Sequence, residues 1–256
     1  MSENQGVQSV ERALRLLELL SAHDEGVKLT DLAREGGLAT STVHRLLTTL
    51  EMRGFAQAEA GSGRWHVGRR AFEVGSAFTR QHHFVAPALP FLRRLRDRTH
   101  ETANLGVIEG GEVVTLSQVE SREIIRAISP PGGRAPVLCS GMGKAIIASW
   151  SDDAIDRLVA RYGLRKITAR SLFSPEAVQR EIAEVRVRGF AVDDEEYVPG
   201  LRCVAAVVWS PQGEAAFAIS ISGLATRMTP ERVTECGGIV CELARELTAK
   251  LGGRAP

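Results

Sequence analysis

No sign of charge dominates this sequence. Its 256 residues hold 32 Lys and Arg against 31 Asp and Glu, a net charge of +1. That balance excludes a strongly basic coat or an acidic tail. It does not exclude DNA binding, which needs only a local basic surface. No apolar run approaches the roughly 18–20 residues of a membrane span. The opening residues, Met1 to Gly6, lack the basic start and apolar centre of a secretory signal. The expectation is a cytoplasmic protein with no membrane contact.

Cysteine is scarce and unpaired in pattern. Cys139, Cys203, Cys236 and Cys241 form no Cys-x-x-Cys motif, and a cytosolic chain of this size does not call for a disulfide framework. All six histidines lie at or before His100, and all four cysteines at or after Cys139. A Cys/His zinc site would need ligands from opposite halves of the chain, without the usual local pairs. The same separation leaves the second half with no histidine base for a serine or cysteine nucleophile. Only a Lys144-assisted or carboxylate mechanism stays open to an enzyme, so the expectation is no enzymatic activity, no metal and no cofactor.

The length suggests one large domain or two modest ones. Hydrophobic residues are 44% and charged residues 25%, ordinary for a globular chain. In residues 7–22, Val7, Val10, Leu14, Leu17 and Leu20 recur at helical spacing, with Ala13 and Leu16 alongside. A short helix follows from Thr30 to about Glu35, with Thr30 as candidate N-cap, broken by Gly36-Gly37. A third helix starts near Thr40 or Ser41, buries Val43, Leu46, Leu47 and Leu50, and stops at Gly54. Helix, short helix, tight turn and helix form the helix-turn-helix plan. Phe55–Ala58 and Arg64–Val67 then read as two strands around the Glu59 to Gly63 turn. Such a hairpin is a wing.

The third helix is the candidate for the major groove. Its solvent side carries Ser41, Thr42, His44, Arg45, Thr48 and Thr49, groups suited to phosphates and base edges. The alternative is a merely solvated face, but no carboxylate interrupts it before Glu51. The DNA-contacting set is read as Thr30, Thr40, Ser41, Thr42, His44, Arg45 and Arg64. Residues 1–68 hold seven Lys and Arg against nine Asp and Glu. Binding must therefore rely on local placement and helix N-termini rather than bulk charge.

Residues 69–78 show helical spacing, extending to about His83 as a linker helix. Pro87 and Pro90 precede or open a helix expected from Ala88 to His100. His82-His83 are read as a helix end rather than metal ligands. The boundaries are set at 1–68, 69–86 and 87–256. In the second half, Ala103–Glu109 and Glu112–Val119 flank Gly110-Gly111 as a hairpin. Glu123–Ile128 reads as a third strand, closed by Pro130 to Gly133. Helices are expected at Gly143–Trp150, at Asp152–Arg161 with Ser151 as cap, and at Pro175–Arg188 between Ser174 and Gly189. A hairpin of Cys203–Trp209 and Ala215–Ser222 precedes a last helix, Pro230–Leu251, capped by Thr229. The order implies an α+β domain with a mainly antiparallel sheet covered by helices.

Three stretches are candidate pocket walls. Ser140 to Ala145 is glycine-rich before a helix, which lets backbone N–H groups meet an anion or lets the helix pack closely. It is no Walker A loop, because Leu138 and Ala145 stand where Gly and Ser/Thr are required. In Ala218–Gly223, period two puts Ser220 and Ser222 on the face opposite Ile219 and Ile221. Asp193 to Glu196, a four-carboxylate run, reads as a solvated loop, and Cys203 as a small core residue rather than a nucleophile.

Several segments together resemble the IclR family of bacterial transcriptional regulators. They are Val10 to Leu14, Leu29 to Ala33, Ser41 to Leu47, Gly143-Lys144-Ala145, and Gly189 to Glu196 with Gly200 to Cys203. The set, in this order and spacing, is specific, and the likeness covers roughly residues 7–251. It implies a winged helix-turn-helix, a linker helix and a C-terminal effector domain of GAF-like fold. It also implies homodimers, often dimers of dimers, on palindromic double-stranded operators, with small organic or aromatic acids as effectors. The serine pair and the Asp193/Cys203 spacing are most similar to the glyoxylate, pyruvate and allantoin-pathway branch. By motif position, the effector site falls on Gly141, Met142, Asp193, Cys203, Ser220 and Ser222, with Ile124, Ala127 and Ala135 as apolar walls. Met142 is larger, and the two alanines smaller, than that pattern leads one to expect.

Overall fold

The structure is a computed structural model that describes residues 6–81 and 83–256. Of the His82-His83 pair, His82 lies outside the described residues, as do residues 1–5 of the opening segment. The chain divides into two compact units, Met1–His82 and His83–Pro256. No described helix is long and apolar enough to cross a membrane.

In the first unit, α1 (Gln8–Ser21), α2 (Leu29–Gly36) and α3 (Thr40–Met52) pack around Leu16, Leu20, Leu32, Val43 and Leu47. The expected stripe on α1 is partly wrong. Val7, Val10 and Leu14 are exposed, and Leu16 and Leu20 carry the burial. Thr30 is not a cap either. It is the second residue of α2, whose N-cap is Lys28. The cause is a two-residue strand, β1 (Val27–Lys28), that runs straight into α2. It pairs with β3 (Arg64–Val67), which in turn pairs with β2 (Ala56–Ala58), giving the order β1-β3-β2. The wing is thus tied back to the chain ahead of the helix-turn-helix. Gly37 ends α2 at φ 63°, a conformation that glycine adopts without a side-chain clash. A further helix, α4 (Arg69–Gln81), completes the unit.

The second unit opens with α5 (Val85–Thr99), three residues ahead of the expected start. Pro87 falls in its first turn, where the missing N–H has no helical acceptor, so the helix forms through it. A six-stranded antiparallel sheet follows, in the order β6-β5-β4-β9-β8-β7. Its strands are β4 (Thr102–Glu109), β5 (Glu112–Val119), β6 (Arg134–Pro136), β7 (Ala191–Asp194), β8 (Leu201–Trp209) and β9 (Ala215–Leu224). One face buries Ala103, Leu105, Phe217, Ile219 and Ile221 against α5 and α9 (Pro230–Lys250). The other face meets α6 (Gly141–Ile147), with α7 (Asp152–Tyr162) and α8 (Pro175–Arg188) in the same apolar cluster. Ser151, Ser174 and Thr229 cap α7, α8 and α9 as expected.

Three expectations fail here. Glu123–Ile128 is no strand, and its β-branched residues mislead. The free edge of β5 is taken by β6, with Val113 opposite Ala135. The carbonyls of Ile125 and Ala127 accept from Arg227 Nη1 (3.0 Å) and Thr102 Oγ1 (2.8 Å) instead of a ladder. Second, α6 begins at Gly141, not Gly143. Third, the carboxylate run is not a solvated loop. It ends β7, and Asp193 and Glu196 are buried.

Candidate functional site

On α3, Thr40, Ser41, His44 and Arg45 are exposed and Thr42 is half-buried. The side chains of Ser41, Thr42, His44 and Arg45 make no hydrogen bond among the described residues. Thr48 Oγ1 donates to His44 O at 2.9 Å and Thr49 Oγ1 to Arg45 O at 2.8 Å, so those two hydroxyls face outward only as acceptors. A groove of about 530 Å³ between α1 and α3 is lined by Ser9, Arg12, Thr42, His44, Arg45, Leu46, Thr48 and Thr49, with no carboxylate. Ser9 and Arg12 were not anticipated, because they stand outside the helix-turn-helix. Thr30 is exposed on α2. Arg64 is committed elsewhere. Its Nη1 donates to Gly26 O at 2.8 Å and holds the wing to the turn before β1.

The second unit contains a cavity of about 110 Å³ between the sheet and the start of α6. Period two creates it. β4 and β9 send their large residues to the α9 side and leave Asn104, Gly106, Ala218, Ser220 and Ser222 on the α6 side. Gly106 makes room for Met142, whose Sδ and Cε would lie 3.0 Å from a Cβ at that position. A large residue at 142 is thereby accommodated. Eight of the nine anticipated residues line the cavity: Gly141, Met142, Asp193, Cys203, Ser220, Ser222, Ala127 and Ala135. Ile124 does not. It is 95% exposed on the 122–125 bend, because the expected strand is absent.

Ser140, the first residue of the glycine-rich stretch, lines the cavity too, and so do Asn104, Thr115 and Tyr197, which the sequence reading missed. Asn104 had a readable signal, a polar residue alternating with Ala103 and Leu105 in an apolar strand. Tyr197 had none. Its hydroxyl donates to Arg134 O at 3.0 Å.

The cavity brings backbone and hydroxyl donors together with a carboxylate, and Gly141 stands beside Asp193. Gly141 and Met142 occupy the first two positions of α6, so their N–H groups have no intrahelical acceptor. Ser140 Oγ caps the helix by accepting from Gly143 N at 3.4 Å. Gly143 itself serves packing, since a Cβ there would meet Val137 O at 2.2 Å. Asp193 Oδ1 accepts from Glu196 N at 2.8 Å, and burial pushes its carboxyl up to about 6. Burial also raises Glu196, to about 7, against the pull of Lys144. The Cys203 thiol is driven far above its ordinary range by burial and then by Asp193, which keeps it protonated and unsuited to nucleophilic attack. Lys144 is not in the cavity. It is fully buried, with Nζ 2.5 Å from Glu196 Oε1 and 3.3 Å from Glu181 Oε1.

Comparison with known proteins places both units. Residues 9–60 match the IclR helix-turn-helix domain, and residues 76–249 match the bacterial transcriptional regulator IclR C-terminal domain. The HTH-type transcriptional regulator BhcR of Paracoccus denitrificans is 42% identical over 249 residues, covering 97% of this chain and 89% of that protein. The acetate operon repressor of Salmonella typhimurium is 40% identical over 249 residues, covering 96% and 91%. The crystal structure of Thermotoga maritima IclR aligns over 95% of this chain and 98% of its own, with a TM-score of 0.80 at 27% identity. The chain therefore belongs to the IclR family, and is a DNA-binding transcriptional regulator, not an enzyme, with a helix-turn-helix followed by an effector-binding domain.

Proposed function

We propose that this regulator senses a small 2-oxo acid, glyoxylate first and pyruvate second, and controls a small-organic-acid catabolic pathway from the cytoplasm. Residues 1–68 read a pseudo-palindromic operator as a homodimer or dimer of dimers, 69–86 link, and 87–256 take the acid. On DNA, Ser41, Thr42, His44 and Arg45 supply the free donors, with Thr40 and Thr30 beside them.

The observation that carries the effector reading is the cavity's size together with its polarity. At about 110 Å³ it is smaller than the roughly 150 Å³ engineered cavity that admits benzene. A cavity of this size suits a short acid. The N–H groups of Gly141 and Met142 are placed to hold its carboxylate. Ser220 and Ser222 meet the remaining oxygens, Asp193 accepts from a hydroxyl or hydrated aldehyde, and Cys203, Ala127 and Ala135 close the sides. One relative is named the acetate operon repressor, and acetate is itself a small acid. Regulation follows if the acid binds the DNA-competent and DNA-released states with unequal affinity.

Calorimetric titration of the full chain with glyoxylate, with pyruvate and acetate as competitors, tests this. Micromolar binding selective over acetate, lost in Ser220→Ala/Ser222→Ala, supports it. No heat with either 2-oxo acid, or binding unchanged in the double variant, overturns it and moves aromatic or longer acids to the front.

A further inference from the structure

Four side chains form a single file along the cavity wall and beyond it. Gln118 Nε2 lies 3.1 Å from Asn104 Oδ1. Asn104 Nδ2 lies 3.1 Å from Ser222 Oγ, and Ser222 Oγ lies 3.1 Å from Cys203 Sγ. Cys203 stands opposite Asp193 in the β7–β8 register, so the two side chains share one face of the sheet. Asn104 is 1% exposed and Ser222 7% exposed. Gln118 is half-buried and does not line the cavity.

The direction of the file is set at its Gln118 end. Gln118 Nε2 donates to Asn104 Oδ1, so Asn104 turns its NH₂ to Ser222 and donates to Oγ. One Ser222 lone pair is then occupied, and the Ser222 O–H is left to donate, to the Cys203 sulfur or to a ligand oxygen.

We propose that Gln118, acting through Asn104, fixes Ser222 as a hydrogen-bond donor to the effector, and so selects an oxo or carboxylate oxygen at that point over a hydroxyl. Asn104 and Gln118 are positioning residues. The inference rests on the preceding reading of the cavity as the acid site. A thiol sulfur is a weak acceptor, so Ser222 readily exchanges it for a ligand oxygen. The Asn104 amide meanwhile keeps one Ser222 lone pair occupied.

Gln118→Glu is the decisive variant. It is isosteric, half-buried and outside the cavity. A carboxylate there accepts the Asn104 NH₂, and this charge-assisted bond outweighs an O–H···S contact. Asn104 turns its carbonyl to Ser222, the Ser222 proton goes to that carbonyl, and Ser222 faces the ligand as an acceptor. Pyruvate and lactate differ only in oxo against hydroxyl. In Gln118→Glu the pyruvate-to-lactate affinity ratio is expected to fall by roughly tenfold or more, the value of one hydrogen bond involving a charged partner. Gln118→Met, which removes the end of the file without reversing it, should leave the ratio within about threefold of the wild type.

A second readout needs no ligand. The Cys203 S–H stretching band, assigned by its loss in Cys203→Ser, should move to higher frequency in Gln118→Glu because the sulfur no longer accepts from Ser222. An unmoved band overturns the assigned direction whatever the acids do. A moved band with an unchanged acid ratio overturns the selecting role. If wild-type protein binds neither acid, the preceding reading of the cavity fails, and the band still judges the polarity of the file.

Discussion

Lys144 Nζ sits 2.5 Å from Glu196 Oε1 in a site where the lysine has no exposed surface and the glutamate only 6%. Glu181, 3.3 Å from the same Nζ, is shared with Arg188 at 2.7 Å. Both bonding carboxylates therefore depend on cations held inside the domain. Lys144→Met leaves Glu196 buried without its partner, and breaking such a pair costs about 3–5 kcal/mol. The double variant Lys144→Met/Glu196→Leu should be closer to wild type than the single variant, because no orphaned charge remains. Denaturant unfolding of the three proteins checks the order. A Lys144→Met protein as stable as the wild type would show the pair to be dispensable.

The pH dependence of stability has a definite sign at Asp193. Burial lifts its folded-state carboxyl from 3.8 to about 6, so the folded protein binds this proton more tightly than the unfolded chain. The contribution is fully present below the unfolded value and is lost as pH rises through about 6. Between pH 4 and pH 7 the wild type should therefore lose stability relative to Asp193→Asn, whose amide does not titrate. Unfolding midpoints across that range, compared at matched ionic strength, decide it. Parallel profiles for the two proteins would refute the assignment.

Arg45 and Arg64 were grouped together by sequence as DNA contacts, and the structure separates them. Arg45 is exposed and unpaired among the described residues, whereas Arg64 donates to Gly26 O at 2.8 Å. Arg45→Ala should weaken operator binding and, if the contact is to phosphate, lower the salt slope by about one. Arg64→Ala should cost about 1 kcal/mol of stability with the salt slope unchanged. Operator titrations at several salt concentrations, beside a melting curve, distinguish the two roles.

The two glycines at the start of α6 are also separable. A Cβ at Gly143 would lie 2.2 Å from Val137 O, which is backbone that cannot give way cheaply. At Gly141 the nearest atoms are 3.5 Å away, an ordinary contact. Gly143→Ala should therefore lose stability by more than 1 kcal/mol. Gly141→Ala should fold normally and act, if at all, on effector affinity. Equal stability of the two variants would contradict the packing role of Gly143.

Elements with their own punctuation were legible from sequence. Ser151, Ser174 and Thr229 announce α7, α8 and α9 because a side-chain cap is a local device. The serine pair was legible because period two fixes which face Ser220 shares with Ser222. Features that depend on a distant partner were not. β1 exists because β3 reaches back to it, and Val27-Lys28 alone carries no strand signal. Glu123–Ile128 has strand-forming residues but no free edge to join, so the placement of Ile124 as a wall failed with it. Asp193 and Glu196 looked solvated because sequence cannot show that Lys144, about fifty residues earlier, reaches the second of them.

Met142 and Gly106 set the width of the cavity together. The thioether tip fills the space that a Cβ on Gly106 would enter, at 3.0 Å, and Met142 is 8% exposed. Met142→Ala removes the tip while the strand opposite stays open, so the cavity enlarges on the side of β4. Truncating a buried methionine costs about 2–5 kcal/mol, and this site belongs at the low end because the cavity already borders it. The enlarged site should gain affinity for a branched or aromatic 2-oxo acid relative to glyoxylate. The N–H groups of Gly141 and residue 142 still hold the carboxylate, because backbone donors do not change with the side chain. Competition between glyoxylate and phenylpyruvate on both proteins measures the shift. A preference unchanged by the truncation would mean that Met142 does not bound the effector, and that the acid lies nearer the serine pair than the start of α6.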